Sequence, residues 1–244
     1  MTHHRLDVFD NVEAITTAVL DAFVKLANNT IAERGVFRVS LSGGSTPKRL
    51  YQALANQPLD WSCIEWYWGD ERNVPHDHSE SNFRMVKEAM LQPAKVPASQ
   101  YFPVPVSSGD PATVAANYEA TLKARFGGQQ DLSAAMPAWD LVLLGMGDDA
   151  HTASLFPETN ALNEQERWFV ENWVEKFKAF RFTLTAPAIN SGREIWFLVT
   201  GENKRDSLAK VLGDERNPSA YPSQLIRPTR WYVTADACGQ TTDA

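Results

Sequence analysis

Four short apolar runs in this chain each reach a glycine within two residues of their end. They are Val36 to Leu41 before Gly43, Ile64 to Trp68 before Gly69, Trp139 to Leu144 before Gly145, and Ile195 to Val199 before Gly201. None shows the polar alternation of a half-solvated strand, so each is expected to be buried on both faces. Helical spacing recurs between them. It covers Asn11 to Asn28, a segment from Thr46 through Ala55, Asn82 to Met90, Thr113 to Phe126 and Asn203 to Leu212. Further strands are predicted at Phe180 to Leu184 and Arg230 to Thr234. Strands alternating with helices predict an α/β fold, a parallel-rich central sheet with helices on both faces. Ligands in such folds bind beyond the carboxyl ends of the strands, which directs attention to the four glycines.

The chain has 244 residues, 43% hydrophobic and 22% charged, enough for a sizeable core. No long linker or repeat divides it, so residues 1–244 read as a single domain; Gly127 to Pro137 is its most loop-like stretch. No apolar run approaches a membrane span, and Met1 to Asp10 lacks the layout of a signal peptide, so the expected location is the cytoplasm. Cys63 and Cys238 make no disulfide framework and read as free thiols. The net charge of -7 argues against bulk nucleic-acid binding but leaves room for one small anion held by local cations and backbone N–H groups.

The first glycine loop is Ser42-Gly43-Gly44-Ser45-Thr46-Pro47. Two glycines permit close backbone approach, and a helix opened by Thr46 as N-cap and Pro47 as first residue would aim its positive end at the same place. That suits a phosphate, although the glycine-to-lysine spacing is not that of a P-loop and Ser45 lacks a nucleophile elbow. A tight strand-to-helix turn is the alternative reading. The second loop, Gly69-Asp70-Glu71-Arg72, offers acids and a cation, or a solvated charged turn.

The third loop, Gly145-Met146-Gly147-Asp148-Asp149-Ala150-His151, has a G-x-G-x-x-A spacing. Three features oppose a dinucleotide reading: Pro157 stops any helix after about two turns, the motif lies late in the chain, and two aspartates would repel a pyrophosphate. What is left is an imidazole beside carboxylates at a strand end, the arrangement of a general base, or else a histidine capping a short helix. The fourth loop, Gly201-Glu202-Asn203-Lys204-Arg205, places two cations at a helix start, against the helix dipole. Arg181, at the start of a strand, is a further candidate cation. His76-Asp77-His78 lacks a third ligand for a catalytic metal, and His3 and His4 read as a loose terminus.

Taken together, these stretches resemble the 6-phosphogluconolactonase family, within the group that includes glucosamine-6-phosphate deaminases. The matching segments are LSGGSTPKRLYQAL (41–54), WGDERNVPHDHSESNFRMVKEAML (68–91), WDLVLLGMGDDAHTASLFP (139–157), RFTLTAPAINSGREIWFLVTGENKRDSLAKVL (181–212) and, more weakly, YPSQLIRP (221–228). The resemblance implies a single domain of the ribose-isomerase and CoA-transferase type. It implies hydrolysis of 6-phospho-D-glucono-1,5-lactone to 6-phosphogluconate, the second step of the oxidative pentose phosphate pathway, with no metal and no organic cofactor. The implied partner is a phosphorylated sugar lactone, for a monomer or small homo-oligomer. His151 matches the catalytic histidine and Asp149 the acid of the same motif; Gly43, Gly44, Ser45 and Thr46 match the substrate loop. Arg72, Arg181 and Lys204 match cations at or near the substrate, and Asp70 an acid used by the deaminase branch for proton transfer.

Two positions depart from neighbouring patterns. The family usually has glycine where this chain has Ala150; if φ must be positive there, alanine costs about 1 kcal/mol. The deaminase branch typically carries a glutamate where this chain has Phe156, which removes a member of the isomerisation relay and favours the lactonase. A deaminase acting on glucosamine 6-phosphate and a non-catalytic sugar-phosphate sensor are the alternatives, with a nicotinamide-dependent dehydrogenase third.

Overall fold

The computed structural model describes residues 5–106, 109–126 and 136–240. His3, His4 and most of the loop-like stretch from Gly127 lie outside them. In chain order, β1 (Arg5–Phe9) leads into α1 (Val12–Arg34), and β2 (Phe37–Leu41) into α2 (Ser45–Leu54). Then come β3 (Ile64–Trp68), β4 (Asp70–Arg72), α3 (Asn82–Val86), β5 (Tyr101–Phe102) and α4 (Pro111–Phe126). The second half holds β6 (Leu141–Leu144), β7 (Phe169–Val174), β8 (Ala179–Leu184), α5 (Ala186–Asn190), β9 (Glu194–Val199), α6 (Arg205–Leu212) and β10 (Arg230–Thr234).

Seven strands form one sheet in the order β1-β10-β9-β6-β2-β3-β5, and every pairing in it is parallel. Its central strands are buried on both faces, as their unbroken apolar runs require: all four residues of β6 are buried, and in β2 Val39, Ser40 and Leu41 are fully buried in succession. Strand order reverses between β2 and β6. The chain leaves β2 towards β3 and leaves β6 towards β9, so the loops beyond these two strands diverge and open a crevice.

The remaining strands form a separate antiparallel sheet, β4-β8-β7. The strand expected at Phe180 to Leu184 therefore exists but lies outside the parallel sheet. β1, β4, β5 and β7 have no counterpart in the sequence reading, which took Asp70–Arg72 as a loop. β1 is short and half exposed at the sheet edge, and β7 mixes Asn172 and Trp173 into its run, so neither carries a clean periodic signal.

Helix ends follow local chemistry. Asn11 caps α1 by accepting from the Ala14 N–H at 2.9 Å, and Gly35 ends it in the left-handed region at φ 78°, so that its last residue, Arg34, lies beyond the expected end at Asn28. α2 corrects the sequence reading: Gly44 is its N-cap at φ 104°, and Ser45, not Pro47, is its first residue. Pro47 is tolerated at the third position because no intrahelical acceptor exists there for a missing N–H. The helix expected to start at Asn203 begins at Arg205, after a single tight turn over Glu202–Lys204. The segment expected to Met90 runs as α3 and then widens into a π turn over Lys87–Leu91. No helix among the described residues is long and apolar enough to cross a membrane.

Candidate active site

A cleft of about 360 Å³ opens at the carboxyl edge of the parallel sheet, above the point where strand order reverses. All four glycine loops contribute to it. Ser42 to Pro47 come from the first, Asp70 and Arg72 from the second, Gly145 to Gly147, His151 and Ala153 from the third, and Thr200, Asn203 and Lys204 from the fourth. Thr46 and Thr200 join the first and fourth loops through a 2.7 Å hydroxyl contact.

The first loop is held from behind. Tyr51, one and a half turns into α2, accepts from the Ser42 N–H at 3.1 Å and donates to the Ser42 carbonyl at 2.8 Å. Burial pushes its phenol well above the ordinary tyrosine range, so it stays a neutral donor. Gly43 is required by contact: a Cβ there would overlap the Asn82 side chain, whose Nδ2 donates to the Asp70 carbonyl at 3.0 Å. With no side-chain cap on α2, its first N–H groups are left for the cleft.

In the second loop the two acids separate in role. Glu71 is fully buried and accepts from the backbone N–H groups of Arg72, Asn82 and Phe83, each at 2.8 Å. Burial raises its pKa, and those N–H groups oppose the rise. It anchors the start of α3 and takes no part in the cleft. Asp70 lines the cleft and accepts from the Ser154 hydroxyl at 3.1 Å. Arg72 lies beside Arg181 across the β4–β8 pair and donates to the Glu80 carbonyl at 2.6 Å.

The third loop forms no helix; it is a series of tight turns from Gly145 to Pro157. The idea of a histidine capping a short helix therefore drops out. His151 Nδ1 is hydrogen-bonded to Asp149 Oδ1, and its ring stacks on Phe156 at 4.1 Å between centroids. Burial alone would raise the Asp149 pKa. The hydrogen bond and charge of His151, helped by Lys176 at 3.1 Å, override it and hold the carboxyl well below the usual range. Asp149 is thus a fixed carboxylate that takes Nδ1 and leaves Nε2 as the basic nitrogen. Gly147 is constrained like Gly43: a Cβ there would overlap the His151 ring.

Ala150 stands at φ 61° and is fully buried. The alanine therefore does occupy a left-handed position, at a cost of about 1 kcal/mol. Ala153 and Glu158 also have positive φ, so three of the five such non-glycine residues among those described fall between 150 and 158. Strain of this kind persists only where surrounding contacts impose it.

Two sequence candidates, Asp149 and Arg181, do not line the cleft themselves; Asp149 stands behind His151. Arg181 is set further back. It is half-buried on β8, 5.1 Å from the centre of the Phe177 ring, with its pKa lowered first by burial and then by Arg72. Among the described residues no carboxylate lies within ion-pair distance of Arg72, Arg181 or Lys204, whereas Arg34, Arg38 and Arg167 are all paired. Arg72 and Lys204 thus line the cleft without an ion-paired acid, although the carboxylates of Asp70, Glu71 and Glu80 still act on Arg181 through space. Thr200, Asn203, Tyr51 and Lys176 belong to or support the site and escaped the sequence reading, which took up Phe156 only as the residue standing in place of a deaminase glutamate. Asn203 and Thr200 flank Gly201 and could have been read with it. Lys176 could not, because it arrives from the tip of the distant β7–β8 hairpin.

The His76-Asp77-His78 segment, read from the sequence as lacking a third metal ligand, lies outside the cleft. His76 bonds the Val104 carbonyl at 2.7 Å and packs on Phe83, a structural role. Cys63 and Cys238 are both unpaired.

Residues 10–235 match the family model for glucosamine-6-phosphate isomerases and 6-phosphogluconolactonases. The 6-phosphogluconolactonase of a Nostoc species is 42% identical over 91% of each chain, and that of a Synechocystis species 41% identical over 92% of this chain and 91% of its own. Among solved structures, 6-phosphogluconolactonase from Trypanosoma cruzi superposes with a TM-score of 0.87 at 26% identity, covering 99% of this chain and 98% of the other.

Proposed function

This chain belongs to the glucosamine-6-phosphate isomerase and 6-phosphogluconolactonase family, and we propose that it acts as the lactonase. In this reading it hydrolyses 6-phospho-D-glucono-1,5-lactone to 6-phosphogluconate, the second step of the oxidative pentose phosphate pathway. The observation that carries the reading is the His151–Asp149 pair facing, across one cleft, a glycine loop and a group of cations without acidic partners.

The phosphate sits against the open N–H groups of Ser45 and Thr46 with Arg72 and Lys204 beside it, and Arg181 reinforces the field from behind. His151, in its neutral form with the proton on Nδ1, takes a proton from water at Nε2. The hydroxide attacks the lactone carbonyl carbon, and nearby N–H groups or cations stabilise the oxyanion. The bond from that carbon to the ring oxygen breaks, and the imidazolium returns its proton to the departing oxygen. One water is consumed and one carboxylic acid is made, with no covalent enzyme intermediate. Asp149 holds the tautomer and favours the imidazolium.

The stacking of Phe156 on His151 favours the lactonase over the deaminase, since an apolar ring occupies the place where the deaminase pattern puts a carboxylate. The test is hydrolysis of freshly generated lactone by wild type and His151→Ala. The variant is expected to stay folded and lose about 10²–10⁴-fold in kcat. Full activity in the variant would remove His151 from the mechanism. Ammonia released from glucosamine 6-phosphate would reveal the deaminase, and binding of 6-phosphogluconate with no acceleration of lactone loss a sensor.

A further inference from the structure

The loop that presents His151 depends on a residue from the far end of the chain. Ser223 is buried in the tight turn Pro222–Leu225, ahead of β10. Its N–H donates to the Ala150 carbonyl at 3.0 Å and its hydroxyl donates to the same oxygen at 2.8 Å. Both lone pairs of one buried carbonyl are thus taken by one residue. That carbonyl belongs to the peptide joining Ala150, at φ 61°, to His151. The rest of the turn closes on itself: the Gly147 N–H donates to the His151 carbonyl at 2.8 Å, and the Ala150 N–H donates to the Gly147 carbonyl at 3.2 Å. Ser207 adds a longer contact to that Gly147 carbonyl, at 3.3 Å. These turn bonds, with the His151 N–H donating to Asp149 at 3.3 Å, brace Ala150 from within the loop, and Ser223 braces its carbonyl from outside.

We propose that Ser223 is a positioning residue for His151, holding the Ala150–His151 peptide in the left-handed conformation that an alanine would otherwise leave. This rests on the reading of His151 as the general base. Rotating that peptide away would swing the imidazole off Asp149 and out of the cleft. A misplacement of about 1 Å at a catalytic group can cost about 10²-fold, so a partial loss of population is expected to show in kcat. Ser223 touches neither the cleft nor the substrate cations, so KM should be spared.

The test is a double-mutant cycle on lactone hydrolysis. Ser223→Ala alone is expected to lower kcat about tenfold, with KM changed by less than about twofold; tenfold corresponds to about 1.4 kcal/mol. Ala150→Gly removes the conformational penalty, because glycine occupies positive φ freely. In the Ala150→Gly background, Ser223→Ala should therefore lower kcat by less than about twofold. Ser223→Thr, which keeps the hydroxyl, should recover most of the rate lost in Ser223→Ala. An equal fractional loss in both backgrounds overturns the proposal, as does a loss confined to KM or to thermal stability with kcat unchanged. Its failure is separable from failure of the underlying mechanism. Retained activity in His151→Ala sinks the general-base reading itself, whereas an inactive His151→Ala beside an additive cycle sinks only the role of Ser223.

Discussion

The loops after β2 and β6 stand side by side at the reversal of strand order, yet they hold their shapes by opposite means. The loop after β2 uses glycine: Gly44 takes φ 104° without penalty, and Tyr51 from the adjoining helix fixes Ser42. Its conformation is local and inexpensive. The loop after β6 puts alanines at φ 61° and 48° and depends on distant contacts, from Ser223, Ser207 and Lys176. If the first loop holds the phosphate as proposed, it needs backbone N–H groups in the open, which glycine permits. A loop that presents a base needs one side chain in one orientation, and a conformation imposed from several sides is harder to vary. The first loop should therefore tolerate changes far from itself, and the second should not.

The sharpest way to break this contrast is Gly147→Ala. The added Cβ would overlap the His151 ring and the Asp149 carboxylate, so kcat should fall by about 10²-fold or more while the protein remains folded by circular dichroism. Near-normal turnover would mean that the loop relaxes freely.

On the anchoring side, Lys204→Ala or Arg72→Ala removes a charged partner for the phosphate. Each is expected to raise KM by about 10- to 100-fold with a smaller effect on kcat, matching the about 1.5–3 kcal/mol of a hydrogen bond to a charged group. A larger fall in kcat than rise in KM would move that cation from anchoring to the chemical step.

Smaller effects come from the ion pairs around Asp149. Its carboxyl is held below the ordinary value, so its contribution to stability is complete above about pH 4 and is lost as pH falls further. Asp149→Asn should therefore flatten the decline of Tm below about pH 4; an unchanged slope would show that the pair adds nothing to stability. Lys176→Met removes a cation 3.1 Å from Asp149, one of the groups that hold its carboxyl low. The acid decline of Tm should move to higher pH, a small effect because Lys176 is largely exposed and screened. A shift to lower pH would refute this account of the charge balance.

Much of the fold and half of the site were legible in the chain itself. The parallel strands declared themselves because burial on both faces demands an unbroken apolar run, and the glycines marked where the backbone must turn or be approached closely. Those are local requirements, written in consecutive residues. The sequence also singled out Ala150 as a question about φ.

The tertiary structure decided what depends on distant partners. It paired β1 with β10, setting Arg5 against Arg230, and it removed Phe180–Leu184 to a second sheet with β4 and β7. It moved the start of α2 from Pro47 to Ser45, because Gly44 took the N-cap position that Thr46 was expected to fill. It set Arg181 behind the cleft, brought Lys176 to Asp149, and answered the question at Ala150 with a positive φ and a carbonyl bonded by Ser223. No local pattern encodes such contacts, because hydrogen bonds and charges act across space between residues that spacing along the chain never relates.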